Sequence, residues 1–278
     1  MPAAAVAPGT TIGSVMRDAP LPQQEARILL GHVAQISRVQ LITQSERALS
    51  AAEAQQLASL FARRLAGEPI AYLVGEREFF GLAFEVNPAV LIPRPDTELL
   101  VELALQHLPP QGRVLDMGTG SGAIAIALAH TRPDARVTAL DASAAALAVA
   151  QANASKHQAG IEFLHSDWFA ALGDRQFDLI VSNPPYIVAG DRHLSEGDLR
   201  FEPIDALTDH ADGLSDLRTI SSHAARHLAD DGWLLMEHGY DQAAAARALL
   251  LADHFREVQS WRDLANIARV SGGKKSRA

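Results

Sequence analysis

The hydrophobic residues after Arg113 alternate between short apolar runs and longer amphipathic segments. A short apolar run bounded by turn residues predicts a strand, and the segments between such runs predict helices. The predicted strands are 113–117, 136–140, 160–164, 177–182 and 232–237. Strands that alternate with helices are typical of an α/β fold with a mostly parallel, doubly wound sheet. Two later apolar runs, near 256–261 and 266–271, predict an antiparallel pair at one edge.

The first part of the chain has a different pattern, with helical periodicity and short loops between Thr11 and about Arg64. Pro22 suits the first turn of a helix. The apolar face of that helix consists of Ala26, Leu29, Leu30 and Val33. Ser50 begins a second helix, because Glu53 stands three residues later as its partner in a capping box. The pattern predicts a small helical domain.

Residues 76–92 separate the two patterns. They are rich in strand-forming residues and have turn signals at Gly81 and Asn87-Pro88, which predicts a β-hairpin. The predicted organisation is a helical domain at 1–75, a hairpin linker at 76–92 and an α/β domain at 93–278. The Ala/Pro/Gly-rich residues 1–10 are predicted to be disordered, and the basic tail 271–278 to be loose.

Composition narrows the class of protein. The chain has 278 residues, 48% of them hydrophobic, which is enough for a full core. The net charge is −9, with lysine only at Lys156, Lys274 and Lys275, and this balance argues against binding to duplex nucleic acid. There are no cysteines, which excludes disulfides, thiolate catalysis and cysteine zinc sites. No signal peptide or apolar membrane span is apparent, so we predict a cytoplasmic, monomeric protein without a membrane partner.

A glycine-rich turn follows the first predicted strand of the α/β region and precedes a helix at 123–130. The turn comprises Gly118, Thr119, Gly120, Ser121 and Gly122. Glycines at such a turn let the backbone approach a ligand and let the helix pack on the strand. The same shape binds nicotinamide and flavin dinucleotides, so the turn alone does not identify the ligand.

Side chains at the ends of the next two strands narrow the ligand class. Asp141 ends the second strand, 19 residues after Gly122, where a carboxylate can accept both ribose hydroxyls. Asp167 and Trp168 follow the third strand, where they can bind the amino group and stack on the ring of an adenine. The G-x-G-x-G spacing differs from that of dinucleotide sites, and Asp116 would repel a pyrophosphate while suiting an ammonium group. These features favour S-adenosyl-L-methionine as the cofactor.

The tetrapeptide Asn183-Pro184-Pro185-Tyr186 follows the fourth strand, at a position where open α/β sheets bind ligands. Its two prolines stiffen the loop and leave carbonyl oxygens as outward acceptors. An amide or aromatic amine is a poor nucleophile because its lone pair is delocalised. If Asn183 and the Pro184 carbonyl accept both N–H protons, they aim the nitrogen at a sulfonium methyl group, with Tyr186 over the planar group. We predict that the four residues are catalytic and bind the substrate.

Together these motifs resemble the peptide chain release factor glutamine methyltransferases (the HemK/PrmC family). The resemblance covers roughly residues 22–271 and extends to 67–72, 77–80, 91–98, 201–203 and 237–239. It implies a class I (Rossmann-like) methyltransferase fold and methylation of the glutamine side-chain nitrogen (N5) in the GGQ tripeptide of bacterial release factors. It also implies that Gly118 to Gly122, Asp141, Trp168 and Asn183 contact the cofactor, and that Asn183 to Tyr186 hold the glutamine. Asn266 stands where the family often has glycine, and asparagine tolerates the left-handed conformation.

Three other functions stay open at this point. The ribosomal protein L3 glutamine methyltransferases resemble the whole chain but tend to differ in the segment that here reads Pro-Arg-Pro-Asp-Thr-Glu, residues 93–98. An adenine-N6 nucleic-acid methyltransferase faces the same chemical problem, although no basic target-recognition domain is apparent. A non-catalytic scaffold that binds the cofactor would be expected to have a damaged tetrapeptide, and this tetrapeptide is intact.

Several further residues are open to two readings. His223 and His227 have a spacing that can bind metal, but no third ligand is evident, so we predict no metal site. Glu237 and His238 either line the pocket or serve a structural role.

The polar stretch 193–212 is long for an internal loop, and we expect it to cover the site. Its Arg200 and Glu202 either contact the protein substrate or pair at the surface. The helical N-terminal domain lies outside the cofactor fold, so we assign it, with the hairpin, to recognition of the protein substrate.

Overall fold

The computed structural model describes residues 6–276. The chain divides into two compact units, with the boundary between Glu76 and Arg77. Within the described residues, no helix combines the length and the apolar character needed to cross a membrane.

The first unit is helical. Its helices are α1 (Ile12–Asp18), α2 (Gln23–Ala34), α3 (Arg38–Thr43), α4 (Ala51–Leu65) and α5 (Ile70–Val74). The second of these begins directly after Pro22 and buries the apolar face that the pattern predicts. The fourth begins after Ser50, whose hydroxyl accepts from the Glu53 amide while the Glu53 carboxylate accepts from the Ser50 amide. Both predicted helices are therefore confirmed, and the buried leucines of α2 and α4 share one core.

The segment before α1 is more ordered than its composition predicts. The Gly9 amide donates to the Leu49 carbonyl, and the Leu49 amide donates to the Thr10 carbonyl, each at 3.0 Å. The prediction of disorder is wrong for these residues, because the backbone ahead of α4 supplies their hydrogen-bond partners. Residues 1–5, which the same prediction covers, lie outside the described part of the chain.

The second unit begins with a hairpin and continues as an α/β sandwich. Its strands, the first of which starts at Glu76, are β1 (Glu76–Phe79), β2 (Leu82–Glu85), β3 (Arg113–Met117), β4 (Arg136–Asp141), β5 (Ile161–His165), β6 (Phe177–Ser182), β7 (Leu228–Glu237), β8 (Arg256–Arg262) and β9 (Ala268–Lys274). Its α-helices are α6 (Glu98–His107), α7 (Ala123–Thr131), α8 (Ala144–Lys156), α9 (Ser215–His227) and α10 (Ala243–Ala252). A 3-10 turn, Pro95–Thr97, leads directly into α6.

The hairpin is shorter than the predicted range. The chain turns at Gly81, and β2 ends at Glu85, so residues 86–92 form no strand. Val86, Val90 and Ile92 are buried in the unit without strand pairing. The rings of Phe79 and Phe84 meet edge to face, 6.1 Å apart, inside the hydrophobic core of this unit.

The main sheet has seven strands in the order β5-β4-β3-β6-β7-β9-β8. The first five are parallel, and the last two add an antiparallel pair at one edge. Successive residues of β6, such as Leu179 and Ile180, enter different hydrophobic clusters, as the two-residue period of a strand requires. One cluster lies under α6 and α7, and the other lies under α9 and α10. The predicted doubly wound sheet is confirmed.

The basic tail is not loose over most of its length. Residues 271–274 complete β9 between β7 and β8, and the Lys275 amide donates to the Gly232 carbonyl at 2.8 Å. A Cβ atom at Gly272 would lie 2.6 Å from the Leu234 carbonyl oxygen, so glycine permits the close approach of the strands here. The small residues that suggest a flexible tail instead fit a crowded strand. Residues 277–278 lie outside the described part of the chain.

Candidate active site

The register of the parallel strands aligns four chain segments at one edge of the sheet. Met117 in β3 is level with Leu140 in β4 and with Ser182 in β6, and Ser182 is level with Met236 in β7. The residues that follow these positions therefore lie in one row at this edge of the sheet. They are Gly118, Asp141, Asn183 and Glu237. Because the carboxyl ends of parallel strands bind ligands in open α/β sheets, this row is the candidate active site.

The glycine turn is tied to the neighbouring strand by its backbone. The amides of Gly118 and Thr119 both donate to the Leu140 carbonyl, at 3.0 and 2.9 Å. Gly118 and Gly120 have φ values of +71° and +55°, and no atom lies within 4 Å of an ideal Cβ at either position. Both glycines therefore border open space, which is the arrangement expected where a ligand approaches the backbone.

The third glycine of the turn has a different role. Gly122 has a φ of +82°, and a Cβ atom there would lie 2.9 Å from the Ile126 side chain and 3.2 Å from Ala150. It therefore permits close packing of α7 on α8. The Ser121 carbonyl next to it accepts from the buried amide of Asn153 at 2.9 Å, which links the turn to α8.

Asp116 lies buried beneath the turn. Its Oδ2 accepts from the Thr119 hydroxyl at 2.7 Å and from the Ala125 amide at 3.2 Å, while its Oδ1 is buried without a partner among the described residues. Burial raises the pKa of Asp116 to about 7, although the two hydrogen bonds lower it. A buried carboxylate oxygen without a partner is suited to a cationic group of a ligand.

The raised pKa of Asp116 gives a testable dependence of stability on pH. The folded-state pKa lies above that of the unfolded chain, so its stabilising contribution is complete below about pH 4 and is lost as the pH rises through about 7. Between pH 5 and pH 8 this loss should be on the order of 2–3 kcal/mol. Urea unfolding of the protein without cofactor, compared with Asp116→Asn, measures it. The same pH dependence in both proteins would contradict the prediction.

Asp141 holds the turn at a second point. Its Oδ2 accepts from the Gly120 amide at 2.9 Å, and its Oδ1 accepts from the Ser143 amide at 2.8 Å. Burial raises the pKa of Asp141, while the backbone hydrogen bonds oppose that shift. The carboxylate is therefore fixed between the glycine turn and the start of α8. Its position at the end of β4 agrees with the place that the sequence predicts for a ribose ligand.

Trp168 lies in a tight turn after β5. It has a φ of +42°, and its carbonyl accepts from the Ser166 hydroxyl at 2.8 Å. The ring packs on the second hydrophobic cluster. Burial and the charges of Asp209 and Asp167 raise the pKa of Asp216 to about 6, while a polar contact with Trp168 lowers it. Asp167 itself is exposed. The two residues predicted to bind adenine therefore lie next to each other in one short turn after β5.

The Asn183 side chain is held from one side only. Its Nδ2 donates to the Thr97 hydroxyl at 3.2 Å, and no described residue hydrogen-bonds to its Oδ1. The adjoining Pro184 carbonyl also accepts no hydrogen bond from residues 6–276. Two acceptor oxygens without a partner among the described residues therefore lie at the end of β6.

Tyr186 completes the tetrapeptide and faces Glu237. Its hydroxyl donates to Glu237 Oε1 at 3.4 Å, and burial raises its pKa, so the hydroxyl stays protonated. The Tyr186 carbonyl accepts from Gln242 Nε2 at 3.0 Å, and the same nitrogen donates to the Gly213 carbonyl at 3.0 Å. Gln242 Oε1 also accepts from the Gly239 amide at 2.8 Å. One glutamine therefore fixes the tetrapeptide loop to the segment after β7.

Glu237 is buried at the end of β7. Burial raises its pKa to about 7, while polar contacts with Thr97 and Tyr186 lower it. Its Oε2 has no partner among the described residues. His238 instead points into the fold, where its Nε2 contacts the Ser271 hydroxyl at 2.8 Å, so its role is structural.

The stretch 193–212 contacts the residue that follows the tetrapeptide and the segment that precedes the 3-10 turn before α6. The Ile187 amide donates to the Leu207 carbonyl at 3.0 Å, directly after the tetrapeptide. Glu202 is buried, accepts from the Ile92 amide at 3.0 Å and forms an ion pair with Arg94. The structure therefore favours pairing over substrate contact for Glu202. Arg200 is exposed, with its guanidinium 4.9 Å from the centre of the Phe201 ring.

His223 and His227 lie on α9 and stack on Phe169, with ring centroids 5.8 and 5.1 Å away. Their spacing therefore serves aromatic packing beside the Trp168 turn.

Asn266 has a φ of +64°, which confirms that it adopts the left-handed conformation expected where the family often has glycine.

Comparison with known proteins places this geometry in a family. Two family models match the chain, the PrmC N-terminal domain over residues 12–75 and the Methyltransferase small domain over 95–196. A release factor glutamine methyltransferase of Burkholderia pseudomallei is 55% identical over 273 residues, 95% of this chain and 96% of the relative. One of Neisseria gonorrhoeae is 52% identical over 256 residues, 91% of this chain and 94% of the relative.

The chain belongs to the release factor glutamine methyltransferase family. Its fold agrees, because a solved methyltransferase structure from Pyrococcus furiosus covers 78% of this chain and 98% of its own, with a TM-score of 0.55 at 18% identity. The predicted class I methyltransferase fold and the family resemblance are both confirmed.

Sequence reasoning missed three side chains that build the site of this family member. Thr97 contacts Asn183, Gln242 fixes the Tyr186 carbonyl, and Asn153 ties the glycine turn to α8. A polar residue at an otherwise apolar helix position was the only signal for Asn153. Thr97 lies in a segment that carries the resemblance, but nothing in that segment indicates its partner.

Proposed function

We propose that this enzyme transfers a methyl group from S-adenosyl-L-methionine to the side-chain amide nitrogen (N5) of the glutamine in the GGQ tripeptide of peptide chain release factors. The observation that carries the proposal is the pair of available oxygens, Asn183 Oδ1 and the Pro184 carbonyl, at the end of β6. A primary amide has two N–H protons, and this pair of acceptors matches them.

The relatives support a release factor as the substrate over the alternatives. Those that are about half identical to this chain along nearly its whole length are named release factor glutamine methyltransferases. The net charge of −9 argues against a nucleic-acid substrate. Ribosomal protein L3 and DNA that contains adenine therefore serve as negative controls in the experiment described below.

We further propose that the enzyme acts as a monomer in the cytoplasm, where release factors act.

The residues at the strand ends fit S-adenosyl-L-methionine. The open space beside Gly118 and Gly120 admits a ligand to the backbone. The Oδ1 of Asp116, which has no partner among the described residues, suits the ammonium group of a methionine moiety, and the Asp141 carboxylate can accept from ribose hydroxyls. Asp167 and Trp168 flank the expected place of the adenine. When bound, the cofactor supplies an electrophilic methyl group on a sulfonium.

The chain itself contributes orientation rather than a strong base. The amide nitrogen of glutamine is weakly nucleophilic, and acceptors at Asn183 and Pro184 fix its plane and its distance from the methyl group. As the N–C bond forms, positive charge develops on nitrogen, and the same two oxygens stabilise it. The alkylated nitrogen then loses one N–H proton to solvent, because it has become strongly acidic. Tyr186 packs over the planar amide, with its hydroxyl held by Glu237.

The test is direct. The protein is incubated with isotopically labelled S-adenosyl-L-methionine and a bacterial release factor, and the methyl group is located by mass spectrometry. We expect one label on the GGQ glutamine and none on a release factor with that glutamine changed to alanine. Ribosomal protein L3 and double-stranded DNA serve as negative arms, and label on either one instead of the release factor would overturn the proposal.

A variant of Asp141 tests the cofactor site. Asp141→Ala should weaken cofactor binding about 10-fold, because ribose hydroxyls and the Gly120 amide lose their acceptor. Asp134→Ala is the matched control, since Asp134 lies near the amino end of the same strand and pairs with Arg132. Titration calorimetry measures both affinities. Equal affinities for wild type and Asp141→Ala would remove Asp141 from the site.

A further inference from the structure

The Gln242 side chain, at the residue before α10, hydrogen-bonds to three backbone segments at once. Its Nε2 donates to the Tyr186 carbonyl and to the Gly213 carbonyl, each at 3.0 Å. Its Oε1 accepts from the Gly239 amide at 2.8 Å. A backbone carbonyl only accepts and a backbone N–H only donates, so these partners fix the orientation of the Gln242 amide. One side chain thus joins the tetrapeptide to two other segments.

Two glycines make room for this amide. Gly213 has a φ of +76°, and a Cβ atom there would lie 2.7 Å from the Tyr186 carbonyl oxygen and 2.8 Å from Gln242 Nε2. A Cβ atom at Gly239 would lie 3.0 Å from Gln242 Oε1. A larger residue at Gly213 would therefore displace the donor, the acceptor or both. The backbone is packed around the Gln242 amide at both glycines.

The segment that carries the Gly213 carbonyl is fixed independently of Gln242. The Asp209 carboxylate accepts from three backbone amides within 211–215, at 2.8 to 3.0 Å, and one of them is the Gly213 amide. These three bonds hold the turn that precedes α9. Gln242 therefore ties the Tyr186 carbonyl to a turn that already has a defined place.

The tetrapeptide depends on its two ends for its placement. Pro184 and Pro185 have no N–H to donate, while their rings restrict the conformation of the loop. One end of the loop is held at Ser182, which is level with Met117 in the parallel sheet. The Tyr186 carbonyl lies at the other end. Because the segment between the ends is stiff, a shift of Tyr186 is passed on to the Pro184 carbonyl.

We propose that Gln242 is a positioning residue for methyl transfer, which holds the Tyr186 carbonyl so that the tetrapeptide presents its acceptor oxygens at one fixed place. The inference rests on the proposed function, in which those oxygens bind the substrate amide. The polar atoms of Gln242 are occupied by backbone groups, so it acts on the substrate through the tetrapeptide. Misplacement of an orienting group by about 1 Å can lower a rate on the order of 100-fold.

Gln242→Met tests the role, because methionine keeps the length of the side chain and removes all three hydrogen bonds. The Ile187 amide still donates to the Leu207 carbonyl, so the loop is loosened rather than released. We expect kcat for release factor methylation to fall roughly 10-fold, with cofactor affinity and KM for the release factor within about threefold of wild type. A short GGQ peptide should show the same fold loss, since it presents the same amide. A loss confined to intact release factor would overturn the proposal.

Gln242→Glu separates the bond to Tyr186 from simple anchoring of α10. Glutamate keeps an acceptor for the Gly239 amide, but an oxygen replaces the NH2 donor and faces two carbonyl oxygens. At pH 8, where this carboxylate is ionised, kcat should be at least as low as in Gln242→Met. If the bond to Gly239 is the one that matters, Gln242→Glu keeps kcat within about twofold of wild type, and that result would overturn the proposal.

The same helix offers a matched control. Arg247 Nη1 donates to the Ser260 hydroxyl at 2.7 Å and so joins α10 to β8, away from the tetrapeptide. Arg247→Ala removes this anchor of the helix and should leave kcat within about twofold of wild type. A comparable loss of kcat in Arg247→Ala and Gln242→Met would show a general effect of loosening α10, and the positioning role would be wrong.

Two kinds of failure are distinguishable. If wild type does not methylate the release factor, the proposed function has failed. If wild type is active and Gln242→Met is equally active, only the positioning role has failed. Circular dichroism first checks that each variant folds, and if neither Gln242 variant does, Gly213→Ala takes their place, because its methyl group displaces the same hydrogen bonds. A roughly 10-fold loss of kcat with unchanged cofactor affinity is expected there as well, and unchanged kcat overturns the proposal.

Discussion

Asn183→Ala is expected to lower the turnover of release factor methylation on the order of 100-fold, while cofactor affinity stays within about threefold. The alanine removes Oδ1, which in the proposed mechanism accepts from the reacting amide while positive charge grows on its nitrogen. Loss of a preorganised partner for developing charge typically has an effect of this size, because water cannot reproduce its geometry. Steady-state kinetics with saturating release factor give turnover, and calorimetry gives cofactor affinity.

Two further variants sharpen that prediction. Asn183→Asp keeps an acceptor at the site, so its turnover should lie between those of wild type and Asn183→Ala. Asn87→Ala is the matched control, since Asn87-Pro88 also pairs asparagine with proline, and its side chain only caps the Ala89 amide at 2.9 Å. Its turnover should stay within about twofold of wild type. Unchanged turnover in Asn183→Ala would remove Asn183 from the reaction and leave the fold and the cofactor site unaffected.

The sequence predicts the parts of this site that each strand supplies by itself. The strand that ends at Met117, the glycine turn after it and the tetrapeptide after Ser182 all follow from local pattern. The parallel order then places their carboxyl ends in one row, so Asp141 and Asn183 come to the same edge without any knowledge of side-chain contacts.

The sequence does not predict the side-chain hydrogen bonds that hold this row of residues. Thr97 lies 86 positions from Asn183, and Asn153 lies 68 positions from the Glu85 backbone that it binds. Hydrogen bonds between such distant positions depend on the packing of α6 and α8, which no local pattern encodes. The predictions of a disordered start and a loose basic tail were wrong for the described residues for the same reason. Residues 271–274 look flexible by composition, yet β7 and β8 supply partners on both sides.

Deletion of residues 1–75 is expected to separate cofactor chemistry from recognition of the protein substrate. The two units have separate hydrophobic clusters, and every candidate site residue lies beyond Glu76, so the remaining chain keeps β1 and the whole sheet. We expect it to bind the cofactor with an affinity within about threefold of wild type. Its kcat/KM for intact release factor should fall about 100-fold, the equivalent of one or two strong contacts of a protein interface.

A short GGQ peptide provides the control for that deletion. The peptide cannot reach beyond the reacting centre, so full-length and truncated enzymes should methylate it with similar kcat/KM.

Val39 and Ile42 offer a test that leaves the chain intact, because they lie three positions apart on α3 with 67% and 75% of their surface exposed. Val39→Asp with Ile42→Asp should lower kcat/KM for intact release factor and leave the peptide unaffected. A truncated enzyme that folds and methylates intact release factor at the wild-type rate would show that the helical unit has another role.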